Sequence, residues 1–198
     1  LDNSTVFVDE TATCCFAGHT KCIPSHPRSV YLTCKRMVDD FLPRISMWVL
    51  GLFAMICNVY VFFLRCIDRT DSTVQSLLIL NLSLSDLLMG INMVLLASAD
   101  AYYKQYFPSY SELWRKGPLC QLAATLSILS SEVSVFLITL ITFDRFQGVK
   151  YPFSVYRLRR KSAKICILAF WSIGLIISVV PVVLSGLYFD VFEVSEVC

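Results

Sequence analysis

Residues 141 to 153 read ITFDRFQGVKYPF, and this stretch decides the fold class because it ends a long apolar run with two adjacent opposite charges. The apolar run that it ends, residues 117 to 143, carries a single charged side chain, Glu132. Crossing about 30 Å of hydrocarbon takes roughly 20 residues of α-helix. Asp144 and Arg145 then stand where such a helix leaves the lipid. We therefore predict a transmembrane helix that ends at a charged, water-facing edge.

Three further runs have comparable length and composition. Residues 45 to 64 carry no charge, residues 72 to 99 carry only Asp86, and residues 165 to 189 carry none. With 56% hydrophobic and only 16% charged residues, the chain is too apolar for an ordinary soluble domain. We predict an all-α membrane protein with four transmembrane helices, over about residues 45–64, 72–99, 117–143 and 165–189.

The nine cysteines divide between two compartments. If the N-terminal segment lies outside the cell, three cysteines fall in or below the lipid and stay as thiols: Cys57, Cys66 and Cys166. The other six share the oxidising side, where disulfides form. These six are Cys14, Cys15, Cys22, Cys34, Cys120 and Cys198.

The first 44 residues are predicted to form a short disulfide-bonded extracellular leader, ahead of a transmembrane domain over residues 45–198. Its four cysteines allow three connectivities, which their spacing does not separate. The Asn3-Ser4-Thr5 sequon agrees with an outside location and predicts glycosylation of Asn3. The first residues lack the features of a secretory signal, so we expect the chain to be a piece of a longer protein.

Polar residues within the runs predict a hydrated pocket in the helical bundle. An ionisable side chain in mid-span costs about 2.5–3.5 kcal/mol, so Asp86 should face other helices. Asn58 and Ser134 lie at suitable depths to be its partners. At about 100° per residue, Ser134 also projects within about 20° of Arg145 on the same helix. The alternatives are a neutral Asp86 bonded to one neighbouring helix, and serines that merely let helices approach closely.

Motifs from all four runs, taken together, resemble rhodopsin-like G-protein-coupled receptors. They include GLFAMICN in the first run, NLSLSDLLMG around Asp86, Cys120 at the start of the third run and DRF at its end. Pro152 follows Arg145 by seven residues, and Trp171 precedes Pro181 by ten. The resemblance implies the front half of a seven-transmembrane helix bundle, with Trp171 and Pro181 in helix packing.

Within that family, SSEVSVFLITLITFDRF and NLSLSDLLMG resemble the leucine-rich-repeat-containing receptors, and the relaxin-receptor-like members fit best. The leader resembles the cysteine-bearing hinge that joins the repeat domain to the first helix in that group. The resemblance implies that Cys14 and Cys15 are linked to Cys22 and Cys34.

The resemblance also implies roles at the end of the third helix. Arg145 resembles the switch arginine of the family, held by Asp144 at rest and freed on activation to meet the G protein. Phe146 stands where many relatives carry Tyr. Pro152 and Phe153 resemble the second intracellular loop, where the residue in the place of Phe153 commonly packs on the G protein.

Two further sites follow from the same resemblance. Asp86 resembles the sodium-binding carboxylate of the family, with Ser134 as a ligand and Asn58 in the surrounding water network, and no other cofactor is implied. Cys120 and Cys198 match the disulfide that ties the third helix to the second extracellular loop.

The implied function is that of a plasma-membrane receptor with its N-terminal segment outside, which passes extracellular binding to a heterotrimeric G protein. Ser127 stands where amine-binding relatives carry Asp, which favours a protein or peptide ligand. The basic stretch RLRRKSAK, residues 157 to 164, favours contact with anionic membrane lipids over nucleic acid.

Two other classes of protein remain as alternatives. A four-span adhesion or scaffold protein of the tetraspanin or claudin type would keep its signature cysteines between spans, whereas Cys14 and Cys15 precede the first span. An enzyme is not expected, because His19 and His26 lie in the cysteine-rich leader, where disulfides are a stronger interpretation than a zinc site.

Overall fold

Four long helices make up most of the described structure. The computed structural model describes residues 6–8, 22–24, 37–38, 40–67, 73–103, 110, 113–114, 117–150 and 158–187. Its elements are β1 (Val6–Val8), β2 (Cys22–Pro24), α1 (Phe41–Ile67), α2 (Val74–Tyr103), α3 (Pro118–Lys150) and α4 (Arg160–Leu187). Within these ranges, four helices are long and apolar enough to cross a membrane. The predicted all-α membrane class is therefore confirmed.

The helices extend beyond the apolar runs that predicted them. α3 continues through the charged pair at its end to Lys150, and α1 begins at Phe41 rather than Ile45. An apolar run marks the part of a helix that suits hydrocarbon, whereas polar and charged residues continue the helix into water. At 1.5 Å per residue, the 33 residues of α3 are about 50 Å long, more than the hydrocarbon thickness.

Local sequence explains where α2 and α3 begin. The hydroxyl of Thr73 accepts a hydrogen bond from the Ser76 amide at 3.2 Å, which satisfies one of the free N–H groups at the start of α2. α3 begins at Pro118, whose fixed φ suits a first helical position and whose missing N–H is not needed there. Gly117 precedes it and donates its amide to the Trp114 carbonyl at 2.9 Å.

α1 packs on α2, α2 on α3, and α3 on α4, and α2 also reaches α4. α1 and α2 approach each other most closely at two glycines, Gly51 and Gly90, both of which are buried. A Cβ added to Gly90 would lie 3.1 Å from the Gly51 carbonyl oxygen and 2.9 Å from Met55 Cγ. Small residues allow this approach of two helix backbones, which gains van der Waals contact in a lipid environment.

The apolar core lies between α2, α3 and α4. Its buried members are Leu78, Leu129, Val133, Leu137 and Ile167. In contrast, many large apolar side chains on the outer faces of the helices are exposed, which suits lipid and would be unfavourable in water.

β1 and β2 form a small parallel pair in the leader, with Val6 opposite Cys22 and Val8 opposite Pro24. These strands were not predicted. Cys14, Cys15, Cys34 and Asn3 lie outside the described residues, so the leader disulfides and the glycosylation stay predictions.

Substituting Gly90→Val is expected to destabilise the bundle, because the new side chain meets backbone atoms of α1 that cannot move without separating the helices. Overpacking of this kind costs about 1–3 kcal/mol. The midpoint of thermal unfolding of the purified full-length protein measures the effect, with the free thiols Cys57 and Cys166 as reporters of unfolding. Ala169→Val, at an exposed position on α4, is the control. Equal midpoints for both variants would contradict the close contact.

Candidate functional site: a polar cluster between α2 and α3

The two helices meet at a chain of polar side chains in the middle of the bundle. Ser134 on α3 donates a hydrogen bond to Asp86 Oδ1 on α2 at 2.7 Å. The hydroxyl oxygens of Ser85 and Ser134 are 2.8 Å apart. The single proton of Ser134 goes to Asp86, so Ser85 bonds to Ser134 only when its own single proton turns away from the Leu82 carbonyl, which lies 2.9 Å from its oxygen. The bond from Ser134 to Asp86 places this predicted pair in direct contact, and Ser85 lies against Ser134.

Ser85 was missed by the sequence reasoning, although it is fully buried. A signal for it exists in the spacing of α2, because Leu78, Ser85 and Asn92 are seven residues apart and all three are buried. Residues at this spacing share one face of a helix. A face that carries serine and asparagine within an apolar helix has to meet polar partners on a neighbouring helix.

Asn58, the third predicted member of the pocket, bonds within its own helix. Its Nδ2 donates to the Ala54 carbonyl at 2.9 Å. Within the described ranges, no direct hydrogen bond joins Asn58 to Asp86. The structure therefore brings together Asp86, Ser134 and Ser85, and it does not add Asn58 to them by direct contact.

Further buried polar side chains lie along the contact between α2 and α3, beyond the cluster. Ser130 on α3 is fully buried and lies 3.8 Å from Met89 Sδ, while its hydroxyl donates to the Leu126 carbonyl at 2.6 Å. Asn92 is 3% exposed, and its Oδ1 has no hydrogen-bond partner among the described residues. A buried acceptor without a partner costs about 1–3 kcal/mol.

A second polar contact ties α2 to α4. Trp171 Nε1 donates to Asn81 Oδ1 at 3.3 Å, and Asn81 Nδ2 donates to the Leu77 carbonyl at 2.9 Å. Both ends of the Asn81 amide are thus occupied inside a spanning helix. The Trp171 side chain also packs on the apolar core, beside Phe170, whose ring stacks on Phe136 at 5.1 Å.

The end of α3 carries Asp144 and Arg145, for which a resting contact was predicted. Among the described residues the structure contains no ion pair between Asp144 and Arg145, and the resting contact implied by the resemblance stays a prediction. Adjacent residues on a helix point about 100° apart and do not face each other. Asp144 is half-buried, whereas Arg145 and Phe146 are exposed. Lys150 lies over the Phe146 ring, with Nζ 5.5 Å from its centroid.

The remaining predicted residues are distributed along the helices or lie outside the description. Cys120, at the start of α3, is buried and disulfide-bonded. Its expected partner Cys198, and Pro152 and Phe153, lie outside the described residues. Pro181 lies within α4. Cys57, Cys66 and Cys166 are free thiols, as predicted.

Four spanning helices around a polar cluster define a multi-pass helical membrane protein. The pattern described as "7 transmembrane receptor (rhodopsin family)" matches residues 57–198. The chain therefore belongs to the rhodopsin family of seven-transmembrane receptors, and the tetraspanin or claudin alternative is wrong.

Known relatives agree with this assignment. The chain is 33% identical over 186 residues to the G-protein coupled receptor GRL101 of Lymnaea stagnalis, covering 93% of the chain and 16% of that protein. It is 25% identical over 186 residues to human Relaxin receptor 1, covering 93% of the chain and 24% of the receptor. It is 30% identical over 169 residues to the human lutropin-choriogonadotropic hormone receptor, covering 82% of the chain and 24% of that receptor. The predicted resemblance to relaxin-type receptors is confirmed, and the chain spans less than a quarter of the length of these three relatives.

Trp171→Phe is expected to destabilise the bundle by about 1–2 kcal/mol. An aromatic ring is kept at this position, but Asn81 Oδ1 loses its donor, the indole N–H. Thermal unfolding of the purified full-length protein measures the change. Trp48→Phe on α1 is the matched control, since no hydrogen bond of Trp48 is described in this part of the chain. A loss of equal size in both variants would mean that ring size, and not the bond to Asn81, decides the effect.

Proposed function

We propose that this chain is part of a G-protein-coupled receptor, which passes the binding of an extracellular protein or peptide hormone to a heterotrimeric G protein through helix rearrangement. Its family and the names of its relatives support this function over an enzymatic one. The observation that carries the proposal is α3, one continuous helix with disulfide-bonded Cys120 at one end, Ser134 of the polar cluster in the middle and exposed Arg145 near the other.

A helix of this kind suits signal transmission because it combines apolar packing, through Leu129, Val133 and Leu137, with directional hydrogen bonds. The bonds that Ser134 makes with Asp86 and Ser85 set the rotation of α3 against α2. A change in these bonds rotates or shifts α3 as a unit, since packed helices move between discrete arrangements. Such a movement carries Arg145 with it.

Arg145 is proposed as the residue that meets the G protein. Its guanidinium is planar and always charged, and it presents several donors in a fixed fork that suits carbonyl and carboxylate acceptors. The side chain is exposed, and the described residues give it no ion pair with Asp144, so it is accessible to a partner. Phe146 is also exposed, and we propose that it contributes with Pro152 and Phe153 to the same contact surface.

The polar cluster is also proposed to hold a sodium ion. Hard cations take several oxygen ligands, and the cluster offers a carboxylate oxygen of Asp86 and the hydroxyl oxygens of Ser134 and Ser85. This donor set fits a sodium ion that completes its shell with water. A bound cation would draw the three side chains together and stabilise this arrangement of α2 and α3. Asn58 would act only through water, given its bond to Ala54.

We further propose that the receptor lies in the plasma membrane with residues 1–44 outside. The split of cysteines supports this orientation, because Cys57, Cys66 and Cys166 are free whereas Cys120 is disulfide-bonded. Disulfides in the leader and glycosylation of Asn3 belong to the same proposal. At the opposite end, exposed Arg159, Arg160, Lys161 and Lys164 would face anionic lipid.

Arg145→Gln is expected to lower G-protein activation by about tenfold or more, because the fork of donors is lost while the helix is kept. GTPγS loading of co-expressed G proteins by the full-length receptor, normalised to receptor at the cell surface, measures this change. Arg159→Gln removes an exposed arginine just before α4 and serves as the control. Unchanged loading by the Arg145 variant at normal surface density would refute its role.

Asp86→Asn is expected to abolish stabilisation by sodium. The unfolding midpoint of the purified full-length receptor should be about 2–4 °C higher in sodium chloride than in choline chloride if the ion contributes roughly 1 kcal/mol. The Asn variant should show no such difference, since it lacks the charge that binds the cation. Asp144→Asn makes the same chemical change outside the cluster and should keep the difference. A sodium effect that persists in the Asp86 variant would exclude this site.

A further inference from the structure

A second buried carboxylate lies near the end of α2, far along the helix from the polar cluster. Asp100 is 2% exposed, and its Oδ1 accepts a hydrogen bond from the backbone amide of Val38 at 3.0 Å. The two residues are 62 positions apart in the chain. Val38 precedes α1, which begins at Phe41, so the bond joins the end of the leader to the end of α2.

The bond lies beside an apolar cluster that includes the end of α2 and the start of α3. Ala99, Trp114 and disulfide-bonded Cys120 are its buried members, and Met37 packs against them. Tyr103 joins the same cluster, with its ring 5.7 Å from that of Trp114. The leader is therefore held next to Asp100 in two ways, by the Val38 amide and by the neighbouring Met37 side chain.

Burial gives this bond its importance. A buried carboxyl group is unfavourable unless a donor satisfies it, and the donor described for Asp100 is a main-chain amide. A main-chain donor moves only when the chain itself moves. The position of Asp100 is thereby coupled to the position of residues 37 and 38, and these are close in sequence to the first turn of α1.

We propose that Asp100 is a positioning residue that fastens the leader to the ends of α2 and α3, so that a displacement of the leader reaches the helical bundle at this contact. The attachment itself is independent of the activity of the receptor. The transmission of a displacement to the G protein rests on the function proposed above.

The attachment is tested by hydrogen–deuterium exchange of the purified full-length receptor in lipid nanodiscs. In Asp100→Leu, the Val38 amide should exchange about tenfold faster or more, because its acceptor is gone. Asp100→Asn keeps a carbonyl oxygen in place and should retain the slow exchange. Ser98→Ala is the matched control, since it removes a side-chain bond within α2, to the Val94 carbonyl. Fast exchange in the Leu variant alone supports the attachment, and wild-type exchange in that variant overturns it.

A variant on the other side of the bond keeps the test decisive if Asp100→Leu does not fold. Val38→Pro removes the donor at a position outside the helices. It should raise exchange of the amides in the last turn of α2, residues 100 to 103, by about tenfold. Unchanged exchange in this turn overturns the attachment.

Transmission is tested by basal GTPγS loading of co-expressed G proteins, with no ligand added. Asp100→Leu and Val38→Pro should each change the loading rate about threefold in the same direction. The double variant should change it no further, because both substitutions break one bond. Asp100→Asn, which keeps the acceptor oxygen, should show the wild-type loading rate. Additive effects, or unchanged rates in both single variants, overturn transmission through this contact. If neither the wild-type receptor nor any variant stimulates GTPγS loading of the G proteins, transmission is overturned together with the proposed function. The exchange experiment still decides the attachment.

Discussion

The hydrogen bond from Ser134 to Asp86 is the contact on which the arrangement of the bundle depends. Between apolar helices a carboxyl group has few partners, and leaving it without one is costly, so Asp86 restricts how α2 can be rotated. Ser134 satisfies the carboxyl group with a short bond and also contacts Ser85, and these contacts set the depth of α3 against α2. Apolar packing alone would tolerate other rotations, because leucine side chains on many faces could fill the same space.

α2 is the helix that the other three share. It meets α1 through the close approach at Gly51 and Gly90, α3 through the polar cluster, and α4 through the bond between Asn81 and Trp171. Its last turn also holds the leader, through Asp100. A hydrogen-bonded polar residue at each of the last three contacts, buried or half-buried, gives each neighbour a defined register, because a hydrogen bond is directional whereas apolar packing is not. This is the arrangement expected of a bundle in which α3 moves between discrete positions.

Reasoning from the sequence found Asp86, Ser134, Trp171 and Cys120, because each stands out against an apolar background or matches a motif. It missed Asp100, since the apolar run was ended at Ala99, one residue before it. Its expected contact between Asp144 and Arg145 stays a prediction, since the described residues show no ion pair between them. The omission of Asp100 has a physical origin, because a run of letters gives the distance along a helix, while contact depends on which face meets a neighbour and where the helix ends.

The sequence by itself determined the class of the protein. Four apolar runs of spanning length and the motifs within them sufficed for the membrane fold and the receptor family, because crossing hydrocarbon requires a fixed length of apolar helix. Only the tertiary structure decided the partners of the polar residues: Ser85 with Ser134, Asn81 with Trp171, and Asp100 with the amide of Val38. Those pairs are separated by 49, 90 and 62 residues, and such contacts are set by the packing and rotation of whole helices, which no local pattern specifies.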